Sequence, residues 1–196
     1  MAGLLNEALA RHHVQERLRS AEEQRRRAGA GLELDDGRTV YVRQLRAEDR
    51  QLYSDAVAGL SPRSRYLRFA APVPRISESL LDQMMDLDGD RQVAYAALVP
   101  DGSAIVGVAR FVRMPGDPRA AEVAIAVADA WQGRGIGSLL LATVIERAGR
   151  SGLSCLKATT LSENRWATRL AISVGFSPAG STGIYAEYRL PLPDAG

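Results

Sequence analysis

Residues 120–150, AAEVAIAVADAWQGRGIGSLLLATVIERAGR, constrain the fold of this chain more than any other stretch. AAEVAIAVA is small and β-branched apolar around one charge, Glu122, and reads as a strand. From Gly135 to about Arg150, residues Ile136, Leu139, Leu140, Val144 and Ala148 follow helical spacing. Between the two lie Gly133, Gly135 and Gly137. Glycine costs conformational entropy on ordering, so a cluster of it marks a place with a use for bare backbone. The first N–H groups of a helix lack internal partners and sit at the positive end of its dipole. A strand that feeds a helix through glycines can therefore receive a phosphate. The competing reading is a turn that serves packing alone. The Walker pattern needs a lysine followed by Ser or Thr, but here Leu139 follows Ser138. The dinucleotide fingerprint needs a third glycine where Ser138 stands.

The rest of the chain supplies the sheet and helices around this unit. LEL and TVYVRQL flank an Asp36-Gly37 hairpin signal. AEDRQLYSDAVAGL and SPRSRYLRF read as helices, and Ser77 caps a third, ESLLDQMM. QVAYAALV and AIVGVARFVR are strands, and MPGDPR reads as a polar, proline-broken loop. After the glycine-led helix come a strand, CLKATTL, a helix, ENRWATRLAISV, and a last strand, IYAEYRLPL. The order implies an α/β (α+β) fold, with antiparallel strands first and then a strand–helix–strand unit. Residues 1–30 stand apart as an arginine-rich helical extension, leaving 31–196 as the domain. The extension could pair two copies into a homodimer, pack on the body or stay solvated.

With 196 residues the chain can bury a real core. A net charge of +2 is too small to argue for nucleic acid. No apolar run approaches the roughly 18 residues of a membrane span, and no secretory pattern leads the chain. One cysteine, Cys155, excludes an internal disulfide and a cysteine-rich metal site. The expectation is a cytoplasmic protein without metal, nucleic-acid or membrane partners.

QGRGIG, residues 132–137, resembles the acyl-CoA signature of the GNAT superfamily of N-acetyltransferases, and the context agrees. A strand precedes it, a helix follows, and Asn164, Ala167, Leu170, Gly175 and Phe176 match the superfamily's second motif. SPRSRYLRF, VGVARFVR and AAEVAIAVADAWQGRGIG resemble more narrowly its bacterial protein-lysine acetyltransferase branch. The resemblance covers about residues 39–190. It implies a mixed, mostly antiparallel sheet, flanked by helices and splayed at an acyl-CoA site, with acetyl-CoA as co-substrate. Backbone N–H groups of Gly133, Arg134, Gly135, Ile136, Gly137 and Ser138 would hold the pyrophosphate, with the Gln132 and Arg134 side chains beside it. Backbone groups of Ile125, Ala126 and Val127 would pair with the pantetheine amides, and Asn164 would bond the arm near the thiol.

Acyl transfer to an amine requires the amine neutral, so an ammonium must first lose a proton. Glu122 shares a strand face with Ala120, Ala124 and Ala126, small residues that leave room for an incoming chain. A carboxylate in that setting is expected to be partly desolvated, with its pKa raised. The resemblance implies a catalytic glutamate at this position, and Glu122 is accordingly expected to be the base. The tyrosine that often protonates the leaving thiolate in the superfamily is replaced here by Ala171. Tyr66, Arg65 and Arg68 fall in the helix that often walls the acceptor site, and Asp129 is expected to cap the turn before Trp131. The expected activity is acetyl transfer to a primary amine, a protein lysine first. The alternatives are a small-molecule amine and a non-catalytic acyl-CoA sensor.

Overall fold

The computed structural model describes residues 32–34 and 37–193. The anticipated N-terminal helix and Asp36 of the first turn lie outside them. Among the described residues the strands are β1 (Leu32–Glu33), β2 (Thr39–Gln44), β3 (Gln92–Leu98), β4 (Ile105–Met114), β5 (Asp117–Val127), β6 (Cys155–Leu161), β7 (Ser177–Thr182) and β8 (Tyr185–Pro191). The helices are α1 (Arg50–Ala58), α2 (Pro62–Phe69), α3 (Glu78–Met85), α4 (Ile136–Arg150) and α5 (Arg165–Ser173). The strands form one sheet in the order β1-β2-β3-β4-β5-β6-β8-β7. Among these strands only β5 and β6 run parallel, joined by α4 as a crossover helix.

Two apolar layers cover the sheet. On one face, Ile136, Leu140, Val144 and Ala148 of α4 and Leu170 of α5 pack on Val40, Val93, Phe111 and Leu156. On the other, Tyr53 and Val57 of α1 and Leu81 and Met85 of α3 pack on Ala94, Ala96 and Val108. Both α2 and α3 begin on a serine, whose hydroxyl takes up an orphan helix donor. Ser61 Oγ accepts from Ser64 N–H at 3.1 Å, and Ser77 Oγ accepts from Leu80 N–H at 3.2 Å.

One local expectation is corrected, and one strand is added that the sequence did not suggest. MPGDPR is no open loop: β4 runs on to Met114, which pairs with Asp117 across Pro115-Gly116. Gly116 has φ +82°, the conformation a tight Pro-Gly turn needs, so a short hairpin forms where a loop was expected. SPAGST, which carries no strand pattern, is the edge strand β7. Its exposed small residues have no apolar alternation to reveal them, and main-chain pairing to β8 alone makes it a strand.

Candidate active site

The site is built where β5 and β6 part. Their parallel register covers only Ala120↔Cys155, Ala121↔Leu156 and Glu122↔Lys157. Beyond Glu122, β5 stays paired with β4 as far as Val127↔Gly107 while β6 diverges from it. A cleft of about 130 Å³ opens there, lined by Val123 to Val127 on one side and Ala158 to Thr160 on the other.

Strand parity decides which backbone groups face this cleft. Ala128 N–H donates to Val106 O, so even-numbered residues of β5 turn their main-chain groups toward β4. Ser154 N–H donates to Arg119 O, so odd-numbered residues turn theirs the other way. Ile125, with the N–H of Val127 and the carbonyl of Val123, thus forms a free strand edge along the cleft. Ala126 was expected to contribute to that edge; its backbone faces β4, in register with Val108, and cannot.

At the end of β5 the chain makes a short 3-10 turn, Asp129–Trp131, and passes through the glycines. Gly133 and Gly135 have φ of +74° and +82°, with open space where a Cβ would stand. Gly135 is the N-cap of α4 and provides no side-chain cap. The first helical bond is Leu139 N–H to Gly135 O, at 3.0 Å, so the N–H groups of Ile136, Gly137 and Ser138 precede the helix's own ladder. This is the uncapped, positive helix end that a phosphate suits. Gly137 has a use besides the one expected. A Cβ there would meet Leu170 Cδ2 at 3.0 Å and Trp166 Cζ2 at 3.3 Å, so its bareness lets α5 approach α4. Ile136 turns its side chain into the core, leaving only backbone for a ligand.

The flanking polar residues mostly brace this geometry. Gln132 Nε2 donates to Val127 O at 3.0 Å, so this amide clamps the turn onto β5 instead of standing beside the glycines. Arg134 Nε donates to Ala130 O at 3.2 Å. Asn164, 7% exposed, lines the cleft as the N-cap of α5. Its Oδ1 accepts from Ala167 N–H at 3.0 Å, which commits the oxygen to the cap. Asp129 caps a helix other than the one expected: it accepts from Ser61 N–H and from the Ser61 and Ser64 hydroxyls at the start of α2. Burial pushes its pKa up, but these bonds outweigh that and hold the carboxyl below its ordinary value.

Glu122 faces a second space, a cavity of about 410 Å³ between β4, β5 and β6 and the helices α2 and α3. The expected desolvation is absent: Glu122 is exposed, because the helices stand off from β5 across this cavity. Val123, Ala124, Thr159 and Thr160 line both the cleft and the cavity, so the two spaces adjoin. Arg68 of α2 also lines both. Ala171 lines the cleft without offering a proton, while Tyr188 lines it from β8 with its hydroxyl 2.9 Å from Thr168 Oγ1. Tyr66 lines neither space. Arg110 and Tyr188 were not singled out from the sequence. Arg110 sits in an apolar strand, VGVARFVR, where an arginine is unusual enough to have marked it.

The free strand edge, the uncapped glycine turn and the narrow cleft between them suit a ligand with an amide-bearing arm and a phosphate end. Comparison with known proteins agrees. Residues 62–176 match the acetyltransferase (GNAT) family. The chain is 34% identical to an acetyltransferase of Pseudomonas aeruginosa, over 73% of this chain and 77% of that protein. The GNAT domain of S. lividans PAT superposes with a TM-score of 0.77 at 27% identity, covering 83% of this chain and 96% of that one. The fold is also that of yncA from Salmonella typhimurium, solved with its cofactor acetyl-CoA, with a TM-score of 0.61, 20% identity and coverage of 79% and 94%. The chain belongs to the GNAT family of acetyltransferases, enzymes that use acetyl-CoA.

Proposed function

We propose that this enzyme moves the acetyl group of acetyl-CoA to a primary amine that enters the larger cavity and loses its proton to Glu122. Acetyl-CoA supplies an acetyl group activated as a thioester. The N–H groups at the start of α4 receive its pyrophosphate, and the free edge formed by Ile125 and Val127 pairs with its pantetheine amides. Gln132 holds the turn in place, and Asn164 turns its amide nitrogen toward the arm. The observation that carries this reading is the position of Glu122: it lies on the same strand as the free edge, where β5 and β6 separate, and opens on the adjoining cavity.

An alkylammonium such as lysine has a pKa of about 10.4, so at neutral pH it is protonated and cannot attack a carbonyl. Glu122, reached from the cavity, accepts that proton directly or through a water. The departing thiolate, with a thiol pKa of about 8.5, is a fair leaving group and can take its proton from water. The tyrosine whose place Ala171 takes therefore needs no substitute in that role. The Glu122→Gln variant is expected to bind acetyl-CoA as the wild type does and to lose about 100-fold or more in turnover. Retained turnover would remove Glu122 from the role.

The favoured acceptor is a lysine side chain of a protein, on the strength of the motifs shared with the protein-lysine branch and the exposure of Glu122. Incubation of a cell extract with acetyl-CoA and enzyme, read with anti-acetyl-lysine antibody, tests it. If only small amines accept the acetyl group, the lysine assignment fails. A small amine is the second reading, and the charges inside the cavity give it a specific ground.

A further inference from the structure

Arg110 projects from β4 into the cavity that holds Glu122, although only 4% of its surface is exposed. Its Nη1 donates to Met84 O at 2.7 Å, and its guanidinium lies 5.2 Å from the centre of the Tyr53 ring. Its Nη2 is buried with no hydrogen-bond partner among the described residues. Arginine does not shed its charge in a protein, so an unused buried donor of this kind is costly. The bond to Met84 ties β4 to the end of α3 with one nitrogen and leaves the other unspent.

Arg68 enters the same cavity from α2. Burial pulls its pKa down; Tyr53 and Glu122 oppose the shift, while Arg110 adds to it. Arg68 thus feels both the Arg110 guanidinium and the Glu122 carboxylate. Register places Arg110 opposite Ala124 and Val112 opposite Glu122, which makes Arg110 and Glu122 diagonal neighbours on one face of the sheet. Such positions stand about 7–8 Å apart. Arg68, Arg110 and Glu122 are the charged residues that line the cavity, and Lys157 lies beside Glu122 in the β5–β6 register. Neither arginine forms an ion pair with a carboxylate of the described residues. Positive charge therefore exceeds negative around Glu122.

We infer that the acceptor carries a carboxylate close to its reactive amine, bound by Arg110 and Arg68 while the amine faces Glu122; this rests on the reading of the enzyme as an amine acetyltransferase. A carboxylate oxygen would complete Arg110 Nη2 and offset the paired guanidiniums. A polyamine would bring further positive charge to a site that already holds an excess. The same chemistry comes from two sources: a free amino acid, or a lysine in a peptide next to an acidic side chain.

The test compares matched acceptors with the full chain, measuring kcat/KM by release of the CoA thiol. One arm sets the common L-amino acids against their amides. The other sets lysine peptides flanked by glutamate against the same peptides flanked by glutamine. The wild type should prefer the acidic member by about tenfold or more in at least one arm, and that arm identifies the source. In Arg110→Gln and Arg68→Gln the preference should fall to within about twofold of parity. An arginine that only braced α3 would depress both members alike and leave the ratio untouched. A wild type without the preference in either arm, or a preference that survives both substitutions, overturns the inference. If Arg110→Gln does not fold, Arg68→Gln and the wild-type comparison decide it. Glu122-dependent acetylation of extract lysines without any such preference would sink this inference alone and leave the amine acetyltransferase reading standing.

Discussion

Asp129 Oδ1, in the turn that leaves β5, lies 2.8 Å from the hydroxyl of Ser61 at the start of α2. The contact joins parts of the site that are far apart in sequence. The turn leads into the glycines at the head of α4, and α2 carries Arg68 into both the cleft and the cavity. With Ser61 N–H and Ser64 Oγ also bound to Asp129, at 3.0 and 2.7 Å, the glycine turn and the wall of the larger cavity are tethered together. Asp129→Ala removes these bonds and leaves the start of α2 without its second cap. It is expected to cost about 1–2 kcal/mol, as loss of a helix cap does. Thermal melting should show the lower stability, and steady-state kinetics should show higher KM for both substrates.

The depressed carboxylates set the acid limit. Arg43 donates to both oxygens of Asp49 at 2.7 Å and, with the Arg46 N–H, holds its pKa down against the effect of burial. Asp129 is held down by its serine partners, and Asp88 chiefly by the N–H of Gln92. A carboxyl whose folded pKa lies below its unfolded value, about 3.9 for Asp, contributes stability above that value and loses it as pH falls through the folded pKa. The melting temperature should therefore be insensitive to these groups between about pH 7 and 5 and decline below about pH 4. Asp49→Asn should shrink that decline in a pH series of thermal melts; an unchanged slope would show that Asp49 does not contribute.

Gly135 and Gly137 should respond differently to substitution. At Gly135 the left-handed φ of +82° strains any L side chain, by roughly 1–2 kcal/mol, just where the orphan N–H groups begin. Gly135→Ala should mainly raise the KM for acetyl-CoA. At Gly137 the obstacle is α5, and Gly137→Val should cost about 1–3 kcal/mol of stability through overpacking against Leu170 and Trp166. Acetyl-CoA titration and denaturant melts on both variants separate the two effects.

Gln132→Ala removes the bond from Nε2 to Val127 O and with it the clamp between the turn and β5. Loss of one such bond, about 1 kcal/mol, corresponds to a rise in acetyl-CoA KM of roughly fivefold. The kcat should stay within about twofold, because Glu122 is untouched. A large fall in kcat with KM unchanged would place Gln132 nearer the reacting atoms than its hydrogen bond does.

Local sequence was enough for the strand–turn–helix proposed to receive the cofactor, since glycine spacing and apolar periodicity are properties of adjacent residues. The serines that start α2 and α3 were legible for the same reason: a cap needs only its own next three residues. Glu122 could be picked out as the one charge in a strand of alanines and valines, but its exposure could not, because that depends on how far α2 and α3 stand from β5. The same holds for Gly137, whose use is set by Leu170 and Trp166 on another helix, and for Asp129, whose partners lie at the start of α2. Strand parity removed Ala126 from the free edge, a result that follows from pairing with β4 and not from the motif. Sequence by itself determined most of the elements and the glycine turn, because those rest on short-range spacing and backbone chemistry. Tertiary structure alone decided where β5 and β6 part and which arginines meet Glu122, because separate segments must pack before their charges share one cavity.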